Sequence, residues 1–97
     1  MSIRLTLISR RDCHLCAEMA AVVEQVAPRF SAELAVRDVD ADAELLARFG
    51  DEVPVLLIDG RKAFKYRVSA ADLARRLQAE RRRAERRGWR ARLFGGR

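Results

Sequence analysis

The sequence predicts an α/β domain of order βαβαββα, built on a four-stranded mixed sheet flanked by helices. Three observations carry that expectation. Residues 3 to 39 read as strand, helix, strand, the spacing of apolar positions switching from two to about 3.6 residues and back. Val53 to Ile58 is a nearly unbroken apolar run that ends in Asp59-Gly60, a hairpin signal. The two cysteines of the chain, in Cys13-His14-Leu15-Cys16, lie where the first strand gives way to the first helix.

Ile3, Leu5 and Leu7 alternate with Arg4 and Thr6 before Ile8, the pattern of a short strand with a buried face. From Cys13, the positions Leu15, Cys16, Met19, Ala20, Val22, Val23 and Val26 recur at helical spacing until Pro28, which is expected to stop the helix. Glu33 to Val39 forms the second strand, with a slip of phase at Val39, and leads into the acidic cluster Asp38, Asp40 and Asp42. A crossover of this kind is right-handed, so the first two strands are expected to be parallel. Ala41 to Phe49 supplies a short helix with Leu45, Leu46 and Phe49 inward, closed by Gly50. Val53 to Ile58 suits a central strand covered on both faces, and Asp59-Gly60 turns it back into Arg61 to Tyr66. Ser69 caps a last helix whose stripe is Ala70, Leu73, Ala74 and Leu77, with Asp72 in its first turn.

A chain of 97 residues, 49% of them apolar, forms one domain with a modest core. No apolar run is long enough to span a bilayer, and Arg4 and Thr6 interrupt the first strand where a secretory leader needs an unbroken apolar segment. A cytoplasmic protein is therefore expected. In that reducing compartment a lone cysteine pair points to catalysis, redox sensing or metal binding rather than to a structural staple. Net charge is +6, but unevenly placed: residues 1 to 74 hold ten Lys or Arg against twelve Asp or Glu, and residues 75 to 97 hold ten Arg against two Glu. The basicity thus belongs to the C-terminal end, read as a domain of residues 1 to 80 followed by a basic extension, 81 to 97, in which Gly88 breaks the last helix near Arg87. Trp89, Leu93 and Phe94 then give a short basic and apolar tail, suited to free solvation or to weak contact with a membrane surface or a partner. No recognition motif accompanies the arginines, so no specific nucleic acid is expected.

Thiolate, not thiol, attacks disulfides, and a cysteine at a helix N-terminus meets unsatisfied backbone amides and the positive end of the dipole. Cys13 is thus the candidate nucleophile. Arg10, Arg11 and His14 favour its anion and Asp12 opposes it, Arg11 and His14 being the candidates for tuning its acidity. Cys16, one turn on and facing the core, is the candidate resolving thiol. A zinc site is not expected, because Cys13, His14 and Cys16 do not converge within one turn and no second cysteine pair exists. Pro54 inside an otherwise central strand calls either for a special role or for a place at the strand's first residue.

A CxxC between the first strand and first helix of this order selects the thioredoxin fold. The chain resembles the glutaredoxin-like branch of the thioredoxin superfamily, the small bacterial glutaredoxin-like proteins, through SRRDCHLC, EVPVLLIDG and SAADLARRL, over roughly residues 1 to 80. The resemblance implies that Pro54 is cis and faces the CxxC, leaving the backbone of Val53 to pair with a substrate chain. It also implies a thiol-disulfide oxidoreductase acting on protein disulfides or on glutathione mixed disulfides, with glutathione as a co-substrate. An iron-sulfur cluster shared between the Cys13 residues of two chains is known among relatives, but the expectation here is a monomer that needs no metal or organic prosthetic group. Two glutathione landmarks of the family are altered: the motif is CHLC without tyrosine, and Val68-Ser69-Ala70-Ala71-Asp72 stands where Gly-Gly-x-Asp is usual. Arg10 and Asp72 remain as candidate substrate-binding residues, able to pair with a carboxylate and an amine. The competing reading is a non-catalytic redox-sensing or binding module whose arginine-rich end docks a macromolecule.

Overall fold

The first strand, β1 (Arg4–Ser9), buries Leu5, Leu7 and Ile8 on its two faces and so becomes central. It pairs in parallel with β2 (Glu33–Asp38) and antiparallel with β3 (Val55–Ile58), which in turn pairs antiparallel with β4 (Arg61–Lys65). The resulting order is β2-β1-β3-β4, the mixed four-stranded sheet expected from the sequence. The structure, a computed structural model, describes the backbone of residues 2–93 and the side chains of residues 2–88.

Two helices cover one face. Met19, Val23 and Val26 of α1 (His14–Val26) and Leu73 and Leu77 of α3 (Ala70–Leu93) pack on Leu5, Leu7, Leu56 and Ile58. Each such side chain contributes about 1.5–3 kcal/mol on burial, so this face holds most of the fold's stability. The other face is smaller: Phe49 and Leu45 of α2 (Ala43–Phe49) close over Ile8, Val39 and Val55.

Local chemistry adjusts several of the expected boundaries. α1 ends at Val26, just ahead of Pro28 as expected, and a separate 3-10 turn follows at Ala27–Phe30, whose first turn takes the proline because no amide partner is needed there, until Ser31 turns left-handed at φ 53°. Val39 is not the end of β2; it opens a 3-10 turn, Val39–Ala41, and is fully buried, which accounts for the phase slip in the sequence. Asp42 caps α2 by accepting from the amides of Glu44 at 2.9 Å and Leu45 at 3.1 Å, so that helix starts two residues later than expected. Leu46, expected inward, is 44% exposed. The inner line of this two-turn helix is Leu45 and Phe49, and Leu46 is rotated about 100° from Leu45.

Asp59 and Gly60 both take positive φ, 49° and 84°, as a tight hairpin requires, and the Asp59 carboxylate accepts the Arg4 amide at 3.0 Å. Ser69 Oγ accepts the Asp72 amide at 3.0 Å and starts α3. Gly88 does not break that helix, which runs on to Leu93. A glycine costs a helix about 1 kcal/mol, and the surrounding Arg and Ala residues are strong enough helix formers to carry it. The helix therefore crosses residue 80 without interruption, and Phe94 lies outside the described residues.

Candidate functional site

β1 delivers the chain to the dithiol in three residues. Arg10 and Arg11 leave the strand, Asp12 turns left-handed at φ 55°, and Cys13 follows in extended conformation as the N-cap of α1. A cysteine at that position turns its sulfur back over the first turn, where the Cys16 amide donates to Cys13 Sγ at 3.2 Å and the Ala17 amide to the Cys13 carbonyl at 3.1 Å. Cys13 and Cys16 are joined by a disulfide with their Cα atoms 5.2 Å apart, inside the range such a bond requires. Their exposures differ: Cys13 is half-buried, whereas Cys16 is only 4% exposed and faces the core. The sulfur that an incoming group reaches is therefore that of Cys13. The amide on it is a preset donor, and an anionic sulfur gains more from such a bond than a neutral one.

Pro54 stands at the same end of the sheet. Val55 pairs with Ile8, so the preceding Val53–Pro54 bond, which is cis, lies beside the point where β1 runs into the dithiol loop. Pro54 is buried and its carbonyl accepts the Tyr66 amide at 2.8 Å, while Val53 is half-buried.

The other candidate side chains have partners that the sequence reading did not assign. Arg10 grips Asp40 through two bonds, Nε at 2.9 Å and Nη2 at 3.2 Å, and donates a third from Nη1 to the Gly50 carbonyl at 3.2 Å. That hydrogen-bonded pairing lowers the Asp40 carboxyl from its ordinary value and raises the Arg10 guanidinium from its own. Arg10 thus ties the dithiol loop to the turn after β2 and to the end of α2. The signal was present in the sequence: parallel neighbours end on the same side, and Ser9 pairs with Asp38, so the residues just beyond both strands meet. His14, 87% exposed, places Nε2 2.8 Å from Glu18 Oε2, an i,i+4 pairing, and Glu18 also lies 3.8 Å from Arg67. Arg11 is exposed.

Two grooves flank the dithiol region. One, about 590 Å³, runs past Cys13 and Cys16 between Arg10, Ala17, Ala20 and the exposed Val36 of β2. The second, about 390 Å³, lies between α1 and the start of α3 and is lined by Glu18, Met19, Tyr66, Arg67, Ser69 and Asp72. Asp72 is in that second groove, its carboxylate paired with Arg75, and Arg10 is in the first, so the two do not share a groove. Ala17, Ala20 and Val36 were not singled out from sequence, because small and β-branched apolar residues read there as ordinary packing.

Comparison with known proteins agrees with this geometry. The family model described as "Glutaredoxin-like domain (DUF836)" matches residues 4–78. The chain belongs to that family. An uncharacterised protein of Mycobacterium tuberculosis is 31% identical to this glutaredoxin-like domain over 81 residues, covering 74% of this chain and 84% of the relative. Among solved structures, a structural-genomics protein from X. campestris is 33% identical with a TM-score of 0.65, over 77% of this chain and 96% of that one. A thioredoxin variant from Halobacterium salinarum is 25% identical with a TM-score of 0.62, over 80% of this chain and 74% of that one. The glutaredoxin-like domain has the thioredoxin fold, and the Cys13–Cys16 disulfide on that fold supports a redox-type function. Among the described residues, no helix is long and apolar enough to cross a membrane.

Proposed function

We propose that the chain is a thiol-disulfide oxidoreductase that reduces protein disulfides or glutathione mixed disulfides through Cys13 and then Cys16. The observation that carries this reading is the asymmetry of the pair: an accessible sulfur under a backbone amide at the start of α1, bonded to a buried one. In the reduced protein the Cys13 thiolate attacks one sulfur of a substrate disulfide, forming a mixed disulfide and expelling the other sulfur as a thiolate. The Cys16 thiolate then attacks Cys13 Sγ, breaking the mixed disulfide, forming the Cys13–Cys16 bond and releasing the second substrate thiolate. Two electrons pass from the dithiol to the substrate disulfide, and the two departing thiolates take protons from solvent. An external thiol, glutathione or a dithiol reductant, restores the pair by the reverse exchange. A reducing cytoplasm is the compartment in which such a dithiol turns over, and we propose it as the site of action.

The test is turnover with a glutathionylated peptide and with a protein disulfide, driven in turn by glutathione, a thioredoxin system and a dithiol. Cys13→Ser abolishes every route. Cys16→Ser loses the protein-disulfide route and accumulates a mixed disulfide on Cys13, retaining turnover only where glutathione resolves it. Turnover surviving in Cys13→Ser, or none in the wild type with any donor, overturns the reading. The second outcome, joined with a partner affinity that changes on oxidation, supports a redox-sensing module instead, a reading favoured by the exposed arginines of α3.

A further inference from the structure

The distal half of α3 has no part in the dithiol site. Beyond Leu77 the helix leaves the core, passing Ile3 and Phe30 along Arg81, Ala84 and Gly88. Ile3 lies at the start of β1 and the dithiol beyond its end, so this stretch stands at the opposite end of a molecule 49 Å long. From residue 75 to 93 the helix carries nine arginines, no lysine and two glutamates. One of those, Glu80, is buried between Arg76 at 3.1 Å and Arg83 at 3.9 Å, leaving exposed Glu85 against exposed Arg82, Arg83, Arg86 and Arg87.

We propose that this part of α3 docks the phosphate backbone of a nucleic-acid duplex, without sequence preference. At about 100° per residue, the exposed Arg82, Arg83, Arg86 and Arg87 cover roughly 140° of the helix surface, while Arg81 lies toward the body with its guanidinium 5.1 Å from the Phe30 ring. A B-form major groove, about 12 Å wide, admits an α-helix. The exposed positions from 82 to 87 are all charged. The use of arginine alone fits phosphate, whose oxygens accept two parallel bonds from one guanidinium. Nothing in the arrangement reads base edges, so binding is electrostatic and salt-dependent.

The experiment uses the full chain with fluorescently labelled 20-base-pair DNA and RNA duplexes, their affinities measured by anisotropy from 50 to 300 mM KCl. A variant combining Arg82→Ala, Arg83→Ala, Arg86→Ala and Arg87→Ala keeps helix-forming residues, and its far-UV spectrum and melting curve verify the fold. The wild type binds at least one duplex at 50 mM salt, and its affinity falls linearly on logarithmic axes. In the variant the affinity drops roughly tenfold or more at 50 mM, and the salt slope shrinks by up to about 3.6, the loss of four phosphate contacts. Whichever duplex binds more tightly identifies the form recognised. Absence of binding at 50 mM, an unchanged folded variant, or tighter binding to phosphatidylglycerol vesicles or polyglutamate than to either duplex overturns the proposal.

Discussion

Replacing Gly88 by alanine tests the continuity of α3. A Cβ at residue 88 meets no heavy atom within 4 Å, and the residue has no positive φ that alanine resists. No steric cost opposes the helix-propensity gain of about 1 kcal/mol. That gain corresponds to about a fivefold smaller population of the frayed segment. Amide hydrogen exchange from residue 85 to 93 is the appropriate assay. Those amides slow about fivefold in Gly88→Ala, while amides of β1 and β3, which open only with the whole fold, respond far less. Exchange that stays the same or quickens in the distal turns refutes the reasoning, since Gly88 then acts as the helix stop that its residue type suggests.

The inner and outer sides of α2 separate by mutation: Phe49→Ala, at a buried position, costs about 3–5 kcal/mol, and Leu46→Ala, at an exposed one, stays within about 0.5 kcal/mol. Similar losses in urea melts would contradict the observed orientation. Ser69→Ala removes the bond to the Asp72 amide and costs about 1 kcal/mol, read as a lower melting temperature; no change would show that the cap contributes nothing. Asp40 and Glu52 have lowered carboxyl pKa values, through hydrogen bonds from Arg10 and Lys62 respectively. A depressed folded value stabilises the fold above the unfolded carboxylate range, and that stability is lost as pH falls through the folded value. Melting temperature therefore declines below about pH 4, and less steeply in Asp40→Asn. Superimposable pH profiles would sink the assignment.

Much of this was legible in the sequence because the relevant signals are local. The period of the apolar residues set each strand and helix, Asp59-Gly60 set the hairpin, and Cys13 and Cys16 stood at a strand-helix junction whatever the tertiary arrangement. Side-chain partners were less legible, because they depend on which strand ends meet. Arg10 was singled out for a substrate carboxylate, and its bond to Asp40, which the parallel pairing of β1 and β2 brings within reach, was not read. Leu46 read as core because three apolar residues in a short helix look equivalent until the sheet selects one line of them. Gly88 read as a stop because a glycine's local preference carries no information about the helix-forming residues on either side.

The left-handed turn at Asp12 bears on how freely this region can vary. Positive φ is tolerated by glycine, asparagine and aspartate but is a true outlier for valine, isoleucine or threonine. A library randomised at position 12 and selected for folded, cysteine-reactive protein should therefore return a narrow alphabet there. Exposed Arg11 beside it faces no such restriction. Two adjacent surface positions would then differ sharply in mutational tolerance, for a reason set by the backbone rather than by any contact with a substrate.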